Sequence, residues 1–242
     1  MIEIPNLRPE TRYGMPAADR YLFNRQYIVG YAYIFRQARW AMELIDSDTM
    51  KMEEEDLERL DNFREDPRIP EVFRSTKEDY EGSGYDRGHL ISSADRMQKT
   101  VVNSETFLLS NMSPQKPGFN RGIWSSLEDA VRQLAQQEQI VEVYAVCGPL
   151  FRIGEPIEVI GDNKVVVPHA YFKSVLAEEG KSGRLTIWSF DIPNAEDLEG
   201  DLPSFLVPTD EVERRAGLTL WDRLRGEKIN ESEAKAGKMW EY

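Results

Sequence analysis

A chain of 242 residues, 40% of them apolar, is long enough to bury a large core and too apolar to remain disordered. Its single cysteine and two histidines exclude a disulfide framework and a thiol-rich zinc site. A formal net charge of −13, taken alone, argues against a nucleic-acid partner, because phosphate binding depends on Lys and Arg. The charge is uneven, however. Residues 43–66 hold eleven acids against three basic residues, whereas residues 85–122 hold five basic residues against three acids. The local field at a cleft, rather than the total, decides whether a polyanion can approach.

Residues 1–11 read as an N-terminal extension. The start, MIEIPNLRPETRYGMP, has no basic head followed by an apolar stretch. It is read as neither a signal peptide nor an Arg-rich transit peptide, so the chain as written is expected to stay where it is made. The longest apolar run, Tyr27 to Phe35, is strand-sized, and no membrane partner is expected. QYIVGYAYI and ARWAMELI are rich in β-branched and aromatic residues and predict paired strands with FRQ at the turn. MKMEEEDLERL suits a helix or a charged connection. DNFREDPRIPEVFRSTKEDYEGSG, with two prolines and two glycines, predicts a long ordered loop of the kind that often carries function. TFLLSNMSPQ reads as a short buried strand running out into a turn at Pro114. In FNRGIWSSLEDAVRQLAQQEQ, Ile123, Trp124, Leu127, Ala130, Val131, Leu134 and Ala135 recur at helical spacing. Strands are expected at IVEVYAVCG, NKVVVPHAYFKSVLAE and RLTIWSFDIP. A short helix at TDEVERRAG has Thr209 as its candidate cap and Gly217 as its stop. Residues 222–242 read as a charged, loosely held tail. The sum is one domain over 1–242 of the α+β class, with a central antiparallel β-sheet and flanking helices.

Chemistry is concentrated in GYDRGHLISSADR, residues 84–96. Histidine is the side chain suited to moving protons near neutral pH. In a strand, Arg87 and His89 point to the same face, and Gly88 between them allows a close approach to the backbone. Asn111 and Asn120 lie before or at the start of the expected helix. Amide oxygen is a hard ligand suited to Mg²⁺, or to Mn²⁺ as a substitute, and not to zinc. An asparagine before a helix can equally be a cap. Trp124 follows the apolar stripe and is assigned to the core, Cys147 is read as a small buried hydrophobe, and His169 as a structural histidine.

GSGYDRGHL, followed by FLLSNMSPQ and FNRGIWSSLED, resembles the DNA/RNA non-specific endonuclease family of ββα-metal nucleases, which includes endonuclease G. RYGMP, CGPLF at 147–151, VPHAYFK at 167–173 and FLVPTDEVERRAGL at 205–218 resemble family segments in the same order, so the likeness runs over residues 12–221. It implies a ββα-metal finger and Mg²⁺-dependent cleavage of DNA and RNA to 5′-phosphate products. By position, His89 matches the general base, Asn120 the direct metal ligand, and Arg87 an arginine that stabilises the phosphate. Glu128 matches a glutamate holding metal-bound water, Asn111 a supporting asparagine, and Asp86 a structural acid. Lys99, Lys116 and Arg121 flank the motif as candidate phosphate contacts. The resemblance also brings a homodimer and a dedicated protein inhibitor as expected partners. A catalytically silent binding module on the same fold is the alternative, since fold alone does not guarantee activity. One geometric condition attaches to Glu128. Eight residues of continuous helix span about 12 Å, so Asn120 and Glu128 serve one ion only through water or if the helix starts after Asn120.

Overall fold

The protein is described here by a computed structural model covering residues 8–46, 60–152 and 154–242, with backbone only at residue 228. Residues 50–59 of the segment read as a helix or charged connection lie outside the described residues.

The expected strands assemble into one antiparallel sheet. β1 (Arg20–Phe23), β2 (Tyr27–Ala32) and β3 (Gln37–Ile45) form a meander. β6 (Ile140–Leu150), β9 (Ala170–Glu179), β10 (Leu185–Pro193) and the two-residue β11 (Leu206–Val207) continue it in the order β1-β2-β3-β6-β9-β10-β11. Two small hairpins stand apart, β4 (Asp86–His89) with β5 (Met112–Gln115) and β7 (Val159–Ile160) with β8 (Val165–Val166). Every residue of β2 is buried, as a central strand covered on both faces requires.

Side chains alternate across the pleat and so build two cores. On one face Val29, Ala41, Cys147, Tyr171, Val175 and Phe190 meet Trp124 and the apolar stripe of α2 (Ser125–Ala135), namely Leu127, Ala130, Val131, Leu134 and Ala135. On the other, Ile28, Trp40, Met42, Tyr144, Val146 and Phe172 meet Val212 of α3 (Thr209–Ala216) and the following Leu218, Leu220 and Trp221. The expected α+β architecture, a large antiparallel sheet with a few helices, is what the chain adopts.

Several local expectations are corrected. TFLLSNMSPQ is not one strand: its first residue, Thr106, ends α1 (Thr100–Thr106), a turn follows at Leu109–Asn111, and β5 begins at Met112 and contains Pro114. Proline is tolerated there because β5 is an edge strand of a two-stranded hairpin. The sequence of α1, TVVNSET, is poor in helix formers. Burial of Val102, Asn103 and Thr106, and a bond from Asn103 Nδ2 to the Ser93 carbonyl at 2.9 Å, hold it in place. NKVVVPHAYFKSVLAE breaks at Pro168 into β8 and β9. Thr209 is the first residue of α3 rather than its cap, and its hydroxyl lies 2.9 Å from that of Ser189. Gly217 does stop α3, in the left-handed conformation at φ 62° that favours glycine. Residues 222–242 carry α4 (Glu227–Glu233) and then return to the first core, where Trp240 Nε1 donates to the Ala130 carbonyl at 3.0 Å.

Between β3 and β6, which are sheet neighbours paired Ala41 to Cys147, the chain leaves the sheet and builds the β4–β5 hairpin and α2. Asp86, Arg87, His89, Asn111, Asn120 and Glu128 all fall in this excursion.

Candidate active site

The hairpin pairs Asp86 with Gln115, Arg87 with Pro114, Gly88 with Ser113 and His89 with Met112. Arg87 and His89 share a face, as expected from the strand period, and that face is lined by Phe63. The Arg87 guanidinium sits 4.3 Å from the centre of the Phe63 ring, and the His89 imidazole is 5.8 Å from it. Phe107, fully buried, stands nearly perpendicular to the imidazole with ring centres 5.0 Å apart. The close approach that Gly88 permits is intramolecular: a Cβ there would lie 2.0 Å from Gln115 Oε1.

Asp86, on the other alternation of the strand, reaches the turn before α2. Its Oδ2 accepts from Asn120 Nδ2 at 2.8 Å and from Arg121 Nε at 2.8 Å, and its Oδ1 accepts from Arg121 Nη2 at 2.6 Å. Burial works against this carboxylate, but the bonds from Arg121 and Asn120 outweigh it and hold the pKa below the usual aspartate value. Only the nitrogen of an amide can donate to a carboxylate, so the flip of Asn120 is fixed and its Oδ1 faces away from Asp86. Asn120 is therefore not a helix cap. It lies in a π-helical turn, Phe119–Trp124, broken at Gly122, before α2 starts at Ser125. Asn120 and Glu128 consequently do not belong to one continuous helix, which meets the condition attached to Glu128.

Asn111 is fully buried. Its Oδ1 accepts from Ile91 N at 3.1 Å, and its Nδ2 donates to the carbonyls of Ile91 and Thr106 at 2.9 and 3.0 Å. One amide thus ties the residue two beyond His89 to the residue before Phe107.

Behind α2 lies a layer of ionisable groups that the sequence did not reveal. Glu43 pairs with Arg96 at 2.7 Å, and Asp95 pairs with Arg132 at 2.6 Å. Lys173, also buried, has its ammonium 4.9 Å from the Trp124 ring centre. Glu128 belongs to this layer on its inner side. Its Oε1 is buried with no hydrogen-bond partner among the described residues. Burial pushes its pKa up to about 7, opposed by Lys173 and Arg132 and reinforced by Asp95 and Glu43.

Of the flanking cations, Lys99 is exposed at the start of α1, and Lys116 lies 4.0 Å over the Tyr85 ring. Arg121 is largely exposed but engaged by Asp86. Arg96, counted with the basic segment in the sequence, is an internal ion-pair partner. A shallow polar cleft of about 180 Å³, lined by Tyr80, Glu81, Tyr85, Asp86 and Arg87, opens beside the motif. His169 lies elsewhere. Its Nδ1 accepts from Arg152 N at 3.2 Å, and its Nε2 lies 3.0 Å from the Pro156 carbonyl, an arrangement of a structural histidine.

Phe63 and Phe107 were missed in the sequence. Phe63 sits in an acidic loop without periodicity, and Phe107 was absorbed into an apparent strand.

Hairpin, kinked turn and helix, with Asp-Arg-Gly-His on the first strand, define the ββα-metal class of nuclease fold. The model of the DNA/RNA non-specific endonuclease family matches residues 8–227, and the chain belongs to that family and is a nuclease. It is 35% identical to Nuclease C1 of Cunninghamella echinulata var. echinulata over 91% of this chain and 90% of that protein. It is 34% identical to mitochondrial endonuclease G of Homo sapiens over 86% of this chain and 71% of that protein. EndoG in a crystal structure of the EndoG/EndoGI complex superposes with a TM-score of 0.83 at 32% identity, covering 93% of this chain and 95% of EndoG's.

Proposed function

We propose that the protein is a Mg²⁺-dependent endonuclease that hydrolyses DNA and RNA alike and leaves 5′-phosphates. Nucleases of this family depend on a metal in general. The choice of Mg²⁺, with Mn²⁺ as a substitute, rests on the donors. Among the described residues no group of three or more His, Cys, Asp or Glu side chains could hold an ion. Near the motif, Asn120 offers an amide oxygen, and Glu128 Oε1 has no hydrogen-bond partner among the described residues. That set suits a hard cation that keeps most of its waters.

The observation that carries this reading is the clamp made by Asp86. It ties Asn120 to the strand that ends in His89, 31 positions earlier in the chain, with the amide oxygen turned away from Asp86. His89 takes the proton of the attacking water. Arg87, laid on Phe63, neutralises charge as it builds on the phosphate. Asn120 would hold the cation through Oδ1, and Glu128 would hold one of its waters. When bound, the hydrated ion supplies charge neutralisation at the phosphate and the departing 3′ oxygen. Arg87, Lys99, Lys116 and Arg121 grip backbone phosphates, and a grip on phosphate and sugar reads little of the bases. A homodimer and a dedicated protein inhibitor belong to the same proposal. The similar EndoG is described in complex with EndoGI.

The test is degradation of plasmid DNA and total RNA by purified protein with Mg²⁺, stopped by chelator. His89→Ala is expected to lose about 10²- to 10⁴-fold in rate while still folding and binding DNA. Intact substrate after long incubation with Mg²⁺ and with Mn²⁺ overturns the assignment in favour of a silent binding module.

A further inference from the structure

We propose that Phe107 is a positioning residue that acts through His89. The inference rests on the reading of His89 as the base and deepens it. Three rings close a triangle. His89 and Phe107 are 5.0 Å apart and nearly perpendicular, Phe63 and Phe107 are 5.1 Å apart and nearly perpendicular, and His89 and Phe63 are 5.8 Å apart. Perpendicular packing lets the positive edge of one aromatic ring meet the negative face of the next, so such a contact prefers one orientation.

The two phenyl rings are not free to drift, because their backbones are joined. Arg64 N donates to the Phe107 carbonyl at 3.2 Å, and Leu109 N donates to the Arg64 carbonyl at 2.8 Å. Arg64 Nη1 also reaches the Ser104 carbonyl at 2.8 Å. Asn111 then fixes this unit to the chain just beyond His89, through Ile91 and Thr106. A hairpin strand of only four residues would otherwise present its last side chain loosely.

The two phenylalanines differ in what they can do. Phe63 is partly exposed and also carries the Arg87 guanidinium, so it stands on the substrate side. Phe107 has no exposed surface and touches the imidazole from behind. It cannot meet a nucleic acid, and any specific effect it has on the reaction must pass through the orientation of His89.

The experiment is Phe107→Leu, which keeps an apolar side chain and removes the ring. Two measurements are made. In metal-free protein, the carbon-bound imidazole protons of the two histidines are followed by NMR, with His169 as the internal reference. In the presence of Mg²⁺, kcat and KM are measured on a short DNA duplex. The proposal expects the nuclear Overhauser contacts between the His89 ring protons and Phe63 to change while those of His169 stay. It expects kcat to fall about ten- to a hundredfold with KM within about twofold, the scale of a misplaced reacting group. A kcat within about twofold of wild type overturns it. So does a loss of activity with the His89–Phe63 contacts unchanged, which would mark a purely structural role. If Phe107→Leu does not fold, Phe107→Met carries the same expectations. Should His89→Ala retain near-normal rates, the base assignment fails on its own, and the metal-free spectra still decide whether Phe107 seats the imidazole.

Discussion

In the proposed mechanism Asn120 and Glu128 divide the work of holding a cation, and their bonds make that division testable. The amide of Asn120 is aimed by Asp86, whose own charge is secured by Arg121, so the oxygen at its other end is preorganised. Glu128 keeps one oxygen without a partner among the described residues and is held near its protonated form by burial. A pre-aimed neutral oxygen in direct contact should matter more to ion affinity than a carboxylate acting through water. Asn120→Ala is therefore expected to raise the half-saturating Mg²⁺ concentration more than Glu128→Ala does, measured by activity titration and by calorimetry with Mn²⁺. The reverse order would show that the direct ligand has been misassigned.

The elements show where sequence reasoning succeeds and where it stops. The helical stripe of Leu127, Ala130, Val131 and Leu134, and the strand-forming runs of β2, β3, β6 and β10, were legible because each buries a periodic face on a long partner. Asp86, Arg87, His89, Asn111 and Asn120 were legible as letters in a motif. The break at Gly122 that separates Asn120 from α2 was not, because the residues on both sides remain compatible with one helix. Nor was α1, whose β-branched residues mask a helix held by tertiary contacts. The end of the chain was misleading for a related reason. Its composition is charged, yet two residues, Met239 and Trp240, anchor it. Trp240 packs edge-on to Trp188 at 4.9 Å as well as bonding to Ala130. Trp240→Ala is expected to lower stability by about 3–5 kcal/mol in chemical denaturation, as large-to-small changes in a packed core do. A loss below about 1 kcal/mol would place this tryptophan outside the core.

At the scale of the whole molecule, charge is handled by segregation. Three acids, Glu43, Asp95 and Glu128, and three cations, Arg96, Arg132 and Lys173, form a balanced layer between sheet, turn and helix. Within it Glu128 has a folded-state pKa of about 7, above its ordinary 4.5. An acid with a raised folded pKa binds its proton more tightly when folded. Its contribution to stability is thus present below pH 4.5, declines as pH rises towards 7, and is constant beyond. Metal-free Glu128→Gln is expected to match wild type near pH 4.5 and to exceed it by on the order of 2 kcal/mol at pH 8, read from denaturation midpoints. Equal pH slopes for the two proteins would remove Glu128 from the buried layer. Outside this layer the molecule is acidic, with a net charge of −13, and yet must approach a polyanion. The cations near the motif are few: Arg87, Lys99, Lys116, and Arg121, which is already shared with Asp86. Each phosphate contact releases about 0.9 of a counterion on duplex DNA, so three or four contacts set a shallow salt dependence. Binding of His89→Ala to a duplex is expected to give a slope of log affinity against log salt between about −2 and −4. A slope steeper than about −6 would require a basic surface beyond the hairpin and the turn, and would displace the local-field account of how this acidic protein holds its substrate.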